Sequence, residues 1–143
     1  MTSFEYLAPT RIVFGPGASR GLCDLVRGMG RRVLVSTGGT PSRHAPLWDA
    51  LVEGGHTLVF VAFPREPEID DVERAAARAR EERVDWVLGV GGGAVLDGAK
   101  GAAALAGGGD ALDHLEVVGL GKPLAHPPLP WVAVPTTAGT GSE

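Results

Sequence analysis

The chain has 143 residues, enough for one domain with a buried core, and its 44% hydrophobic and 21% charged content is that of a soluble globular protein. A net charge of −4 with no basic block argues against nucleic acid or a membrane surface as the main partner. The 22 glycines are about twice the usual share and cluster where apolar runs end, so they read as positional rather than low-complexity.

The first residues, Met1-Thr2-Ser3-Phe4-Glu5-Tyr6, contain neither a basic nor an apolar signal region, and the charge-free stretch 86–96 is too short to span a bilayer. A cytoplasmic location is therefore expected. Cys23 is the single cysteine, which leaves no disulfide or thiolate zinc site; among Leu22, Leu25 and Val26 it reads as a small core residue.

Residues 4–7 and 11–14, separated by Ala8-Pro9-Thr10, predict a small N-terminal β-hairpin. Leu22, Leu25, Val26 and Met29 have helical spacing, which predicts a helix over 18–29 ending at Gly30. A strand over 33–36, a helix over 45–53 closed by Gly54-Gly55, and a strand over 57–63 stopped by Pro64 follow. The clearest helix spans 69–83, with Ile69, Val72, Ala76 and Ala79 in one stripe. Then come a buried strand over 84–90, an alanine-rich helix over 95–106, an irregular ordered loop over 107–130 rich in proline, and a strand over 131–134.

Strands alternating with crossover helices give an α/β fold of Rossmann-like type, a mostly parallel sheet with helices on both faces. Ligands of such sheets bind at the carboxyl ends of the strands. Three segments fall there: Thr37-Gly38-Gly39-Thr40, Gly91-Gly92-Gly93-Ala94, and Pro135-Thr136-Thr137-Ala138-Gly139-Thr140-Gly141-Ser142-Glu143. Glycines admit close approach of an anion, and a helix N-terminus adds free amides and a positive dipole end. A lone tight turn needs one glycine, not three. Asp97 is expected in the first helical turn, with a capping role as its plain alternative, and Lys100 pairs with it on one face.

Other motifs fail in detail. Gly89 to Ala94 fits G-x-G-x-x-A, but Asp110 at the required distance has no strand before it; the Walker A spacing near Lys100 lacks its hydroxyl residue. Asp110 and His114 have a D-x-x-x-H spacing without a second pair, so no metal site is expected within the chain. No nucleophile constellation and no catalytic residue is identified; Ser142 lacks the G-x-S-x-G elbow.

The 91–100 and 135–143 segments together, with the opening Pro9-Thr10-Arg11-Ile12-Val13-Phe14-Gly15-Pro16-Gly17, closely resemble the iron-containing (group III) alcohol dehydrogenases, specifically their N-terminal nucleotide-binding domain. The resemblance implies that Gly92 and Gly93 cradle a pyrophosphate. Thr136, Thr137, Thr140 and Ser142 would line the adenosine and nicotinamide-ribose side, with Asp97 near the nicotinamide. It implies hydride transfer between NAD(P) and an alcohol or aldehyde, and a homodimer. The iron, or another divalent metal, would be held by an aspartate and three histidines of a helical C-terminal domain that this chain lacks. The chain is accordingly expected to be one NAD(P)-binding domain, truncated near its end and inert alone. A glycerol dehydrogenase-like or dehydroquinate synthase-like enzyme is the alternative within the superfamily, and a non-catalytic nucleotide-binding module the alternative outside it.

Three positions depart from the family's pattern. Ala94 stands where serine is usual, Glu66 precedes Pro67 where asparagine is frequent, and Gly38 stands where many members have aspartate. An acid at the end of that strand would hold the ribose 2′-hydroxyl and repel a 2′-phosphate. Gly38, Gly39, Thr40, Ser42 and Arg43 offer room, hydroxyls and a cation instead, so NADP is expected to be tolerated.

Overall fold

The computed structural model describes residues 10–143. Its four strands are β1 (Arg32–Thr37), β2 (Thr57–Ala62), β3 (Trp86–Gly91) and β4 (Trp131–Pro135), in the order β2-β1-β3-β4, all parallel. The helices are α1 (Leu22–Leu25), α2 (Ala45–Glu53), α3 (Ile69–Glu81), α4 (Gly93–Leu105) and α5 (Ala111–His114). This is the expected α/β architecture.

Period-two alternation divides each central strand between two cores. Val33, Val35, Trp86, Leu88 and Val90 pack with Leu22, Val26, Trp48 and Leu51 on the α1/α2 side. Leu34 and Val87 pack with Ala75, Ala79, Val95, Ala99 and Ala102 on the α3/α4 side. β3 is buried along its whole length, as a strand covered on both faces must be.

Several boundaries differ from expectation. The helix over 18–29 is replaced by a 3-10 turn, Ala18–Gly21, and the single turn α1. Gly21 and Gly28 lie inside the predicted span and cost about 1 kcal/mol each in helix propensity. The apolar spacing was set by burial, and Leu22 and Val26 do reach the core. α3 stops at Glu81 because Arg83 adopts a left-handed conformation (φ 50°), with Val84 N–H donating to Ala79 O and Arg83 N–H to Arg80 O, each at 3.0 Å. That is a Schellman ending, built here without glycine. The 107–130 loop contains one helical turn, α5, whose first amide donates to Glu73 Oε1 at 2.9 Å. Residues 11–14 form no strand, and their expected hairpin partner, 4–7, lies outside the described residues.

Helix α4 lies close to its neighbours because it carries glycines where side chains would collide. A Cβ on Gly98 would lie 2.7 Å from ring atoms of buried Phe63, and one on Gly101 2.6 Å from Val72 Cγ1. A Gly98→Val chain is expected to lose about 1–3 kcal/mol of stability through overpacking, read as a lower urea midpoint.

At the start of α3, Asp71 accepts from the Glu68 amide at 3.0 Å within a capping box. That hydrogen bond first, then the guanidiniums of Arg65 and Arg74, holds the Asp71 carboxyl below its usual value. A depressed folded value means stability that is present above the unfolded pKa and lost as pH falls through the folded one. Asp71→Asn should therefore flatten the fall of Tm below about pH 4 relative to wild type.

Candidate functional site

Adjacent parallel strands release their loops at one edge. Thr37 pairs with Val90, and Gly91 with Pro135, so the 38–40, 91–94 and 136–142 segments leave the sheet side by side. β1 and β3 are the pair at which the chain reverses its direction of travel across the sheet, the position where α/β folds bind ligands.

Gly92 is the N-cap of α4 in an extended conformation (φ −83°, ψ −171°). The amides of Val95 and Leu96 donate to Gly92 O at 3.1 Å. Those of Gly93 and Ala94 find no acceptor among the described residues. Gly92, Gly93 and Ala94 are half-buried. None of the three glycines has positive φ; what they supply is space. A Cβ on Gly91 would lie 2.6 Å from Val95 Cγ2. A Cβ on Gly92 would lie 3.4 Å from Thr137 Oγ1, and one on Gly93 3.3 Å from Ser142 Oγ and 3.4 Å from Thr140 Cβ. The missing side chains thus make room for the chain's own threonine segment as well as for any anion at the amides.

That segment continues the β3–β4 ladder through Thr136 N–H, which donates to Gly91 O at 2.9 Å. Thr136, Thr137 and Thr140 are exposed, whereas Ser142 is buried and donates through Oγ to Asp97 Oδ2 at 3.2 Å. Thr140 Oγ1 donates to Glu143 Oε2 at 3.3 Å. Asp97 is not in the first turn of α4: the helix starts at Gly93, which puts Asp97 fifth, and no side chain caps it. Its carboxylate serves Ser142 and Lys100, whose Nζ lies 3.7 Å from Asp97 Oδ1 and 5.6 Å from the centre of the Trp131 ring.

On β1, Ser36 and Thr37 are buried and their hydroxyls have no hydrogen-bond partner among the described residues. Beyond them Gly38 has nothing within 4 Å of its Cβ position, and Gly39 has only Pro64 Cβ, at 3.9 Å. Thr40 caps a 3-10 turn, Pro41–His44, which Trp48 fastens by donating from Nε1 to Pro41 O at 2.8 Å. Arg43 is exposed, as is Glu66 on the loop after β2. Thr37 and Glu143 lie in segments that the sequence placed at this edge but were not singled out as site residues, and Trp131 was read only as the start of a strand. A hydroxyl directly before the Gly38-Gly39 pair was the available signal for Thr37; nothing local marks Trp131.

Asp110 precedes α5, and His114 Nδ1 is 2.9 Å from Lys122 O. Among the described residues no group of three or more His, Cys, Asp or Glu side chains is placed to hold a metal ion. A concavity of about 450 Å³ lies elsewhere, between Asp70, Glu73, Arg80 and Leu105. The candidate site lies along the carboxyl edge of the sheet.

The sequence pattern of the family described as iron-containing alcohol dehydrogenase matches residues 9–143. The chain belongs to this family. An NADPH-dependent aldehyde reductase of Escherichia coli is 33% identical over 146 residues, covering 100% of this chain and 38% of the relative. A probable NADH-dependent butanol dehydrogenase of Bacillus subtilis is 32% identical over 149 residues, with the same coverage of 100% and 38%. The crystal structure of sulfoacetaldehyde reductase from Bifidobacterium kashiwanohense, in complex with NAD+, matches with TM-score 0.84 at 31% identity, over 99% of this chain and 38% of that one. The chain thus spans well under half the length of the iron-containing alcohol dehydrogenase relatives it matches.

Proposed function

We propose that this chain is the NAD(P)-binding part of an oxidoreductase acting on a small alcohol or aldehyde. The observation that carries the reading is the pair of acceptor-less amides at Gly93 and Ala94, at the end of the central strand β3 and beside a threonine-rich segment. Free amides at a helix N-terminus suit the pyrophosphate of a dinucleotide. When bound, the nicotinamide carries hydride to or from the substrate carbon.

The chain's own residues bind and orient. The amides of Gly92, Gly93 and Ala94 take the phosphates; Gly91, by lacking a side chain, lets Val95 pack beneath the turn. The exposed hydroxyls of Thr136, Thr137 and Thr140 face the sugar side of the same site. Gly38, Gly39 and Thr40, with the Thr37 hydroxyl behind them, fit the adenosine ribose. Lys100, drawn toward Trp131, contributes through Asp97 rather than as a phosphate ligand. The metal dependence expected of such an enzyme draws on no cluster among the residues described, so the chain's share of the work is cofactor placement.

Open space at Gly38 together with exposed Arg43 admits a 2′-phosphate. The two relatives cited above, one NADPH-dependent and one NADH-dependent by name, support use of either form within this family. Fluorescence titration of the 143-residue chain should show both NADH and NADPH binding, with NADPH no more than about tenfold weaker. Absence of binding by either would overturn the reading. Gly38→Asp places a carboxylate where the 2′-phosphate would sit, and should weaken NADPH relative to NADH by about tenfold or more.

A further inference from the structure

The segment 136–143 is held by few contacts. Residues 136–141 are exposed, and Gly139 and Gly141 occupy the left-handed region (φ 92° and 71°) with nothing within 4 Å of their Cβ positions. A segment built this way has little order of its own. Its single buried residue is Ser142, bonded to Asp97. Asp97 follows Gly93 by four residues, one helical turn, and helical side chains lean back toward the N-terminus. That lean brings the carboxylate below the Gly93 turn, where Ser142 Oγ lies 3.3 Å from the Gly93 Cβ position. The second carboxylate oxygen faces Lys100, which in turn sits against Trp131, the first residue of the strand that delivers the segment.

We propose that Asp97 is a positioning residue: acting through the Ser142 hydroxyl, it fixes the 136–143 segment where its threonines and the Gly93 and Ala94 amides engage one dinucleotide together. This role rests on the dinucleotide reading of the same site. It differs from a direct contact between Asp97 and the nicotinamide, because loss of Ser142 alone must then reproduce loss of Asp97.

Two measurements on the 143-residue chain test it. Amide hydrogen exchange at Thr136 and Ser142, the amides of the segment that donate to an acceptor, read without ligand, should speed up about tenfold or more in both Ser142→Ala and Asp97→Asn, and stay near wild type in Ser142→Thr. Unchanged exchange in either of the first two variants overturns the proposal. In fluorescence titrations with NADPH, each of those variants should raise Kd about tenfold, and the double variant no further than the weaker-binding single one, since both remove the same bond. Additive losses, or a loss in Asp97→Asn with none in Ser142→Ala, overturn the positioning role. A wild-type chain that binds neither NADPH nor NADH sinks the dinucleotide reading and the positioning role with it, while faster exchange in the variants would still establish the tether.

Discussion

Helix α4 rests on β3 and Phe63 at separations that admit no side chain at three glycines. A Cβ on Gly89 would lie 3.0 Å from Ala99 Cβ, and those on Gly91 and Gly98 would meet Val95 and Phe63 closer still. Two glycines inside α4, Gly98 and Gly101, cost the helix about 1 kcal/mol each in propensity, and tight burial of Leu96, Ala99, Ala102 and Ala103 offsets that cost. A helix held further out by larger residues would carry the Gly93 and Ala94 amides away from the end of β3. The site's donors are in place because the helix behind them is packed this low.

The parallel order β2-β1-β3-β4 then does the gathering. Every strand ends at the same edge, so three segments far apart in sequence become neighbours. They are not equally secured. The 38–40 segment leaves a strand buried from Val33 to Thr37 and is fastened by Trp48 through the Pro41 carbonyl. The 136–143 segment leaves β4, a half-buried edge strand, and depends on one ladder bond at Thr136 and on Ser142.

Residues whose role is set by burial and period were legible in the sequence: the strand ends, the glycine turn, and the apolar stripe of α3 all declare themselves through hydropathy and punctuation. What was not legible depends on where a helix begins and which side chains meet across the chain. Asp97 counts as a first-turn residue only if α4 starts two residues later than it does; with Gly93 as its first residue, capping is impossible and the carboxylate turns to Ser142, 45 residues away. The same blindness lengthened α1, whose spacing was that of a buried face but whose glycines at 21 and 28 broke the backbone. The turn α5 escaped because its stability comes from Glu73 on another helix, not from its own residues.

A site assembled from main-chain donors also explains how so much sequence can change around it. At 31% identity the chain keeps a TM-score of 0.84 to the sulfoacetaldehyde reductase, so backbone placement persists where most side chains differ. At the glycine turn, Ala94 lacks the hydroxyl that serine would contribute, yet its amide is unaffected by that exchange and still has no internal acceptor. Side-chain identity matters at two kinds of position instead: where a Cβ must be absent, as at Gly91 to Gly93, and where a polar contact joins distant parts of the chain, as at Asp97 and Ser142. Gly38 belongs to neither class, because nothing approaches its Cβ position. Free of packing, it is a position where the residue can change while the fold stays as it is.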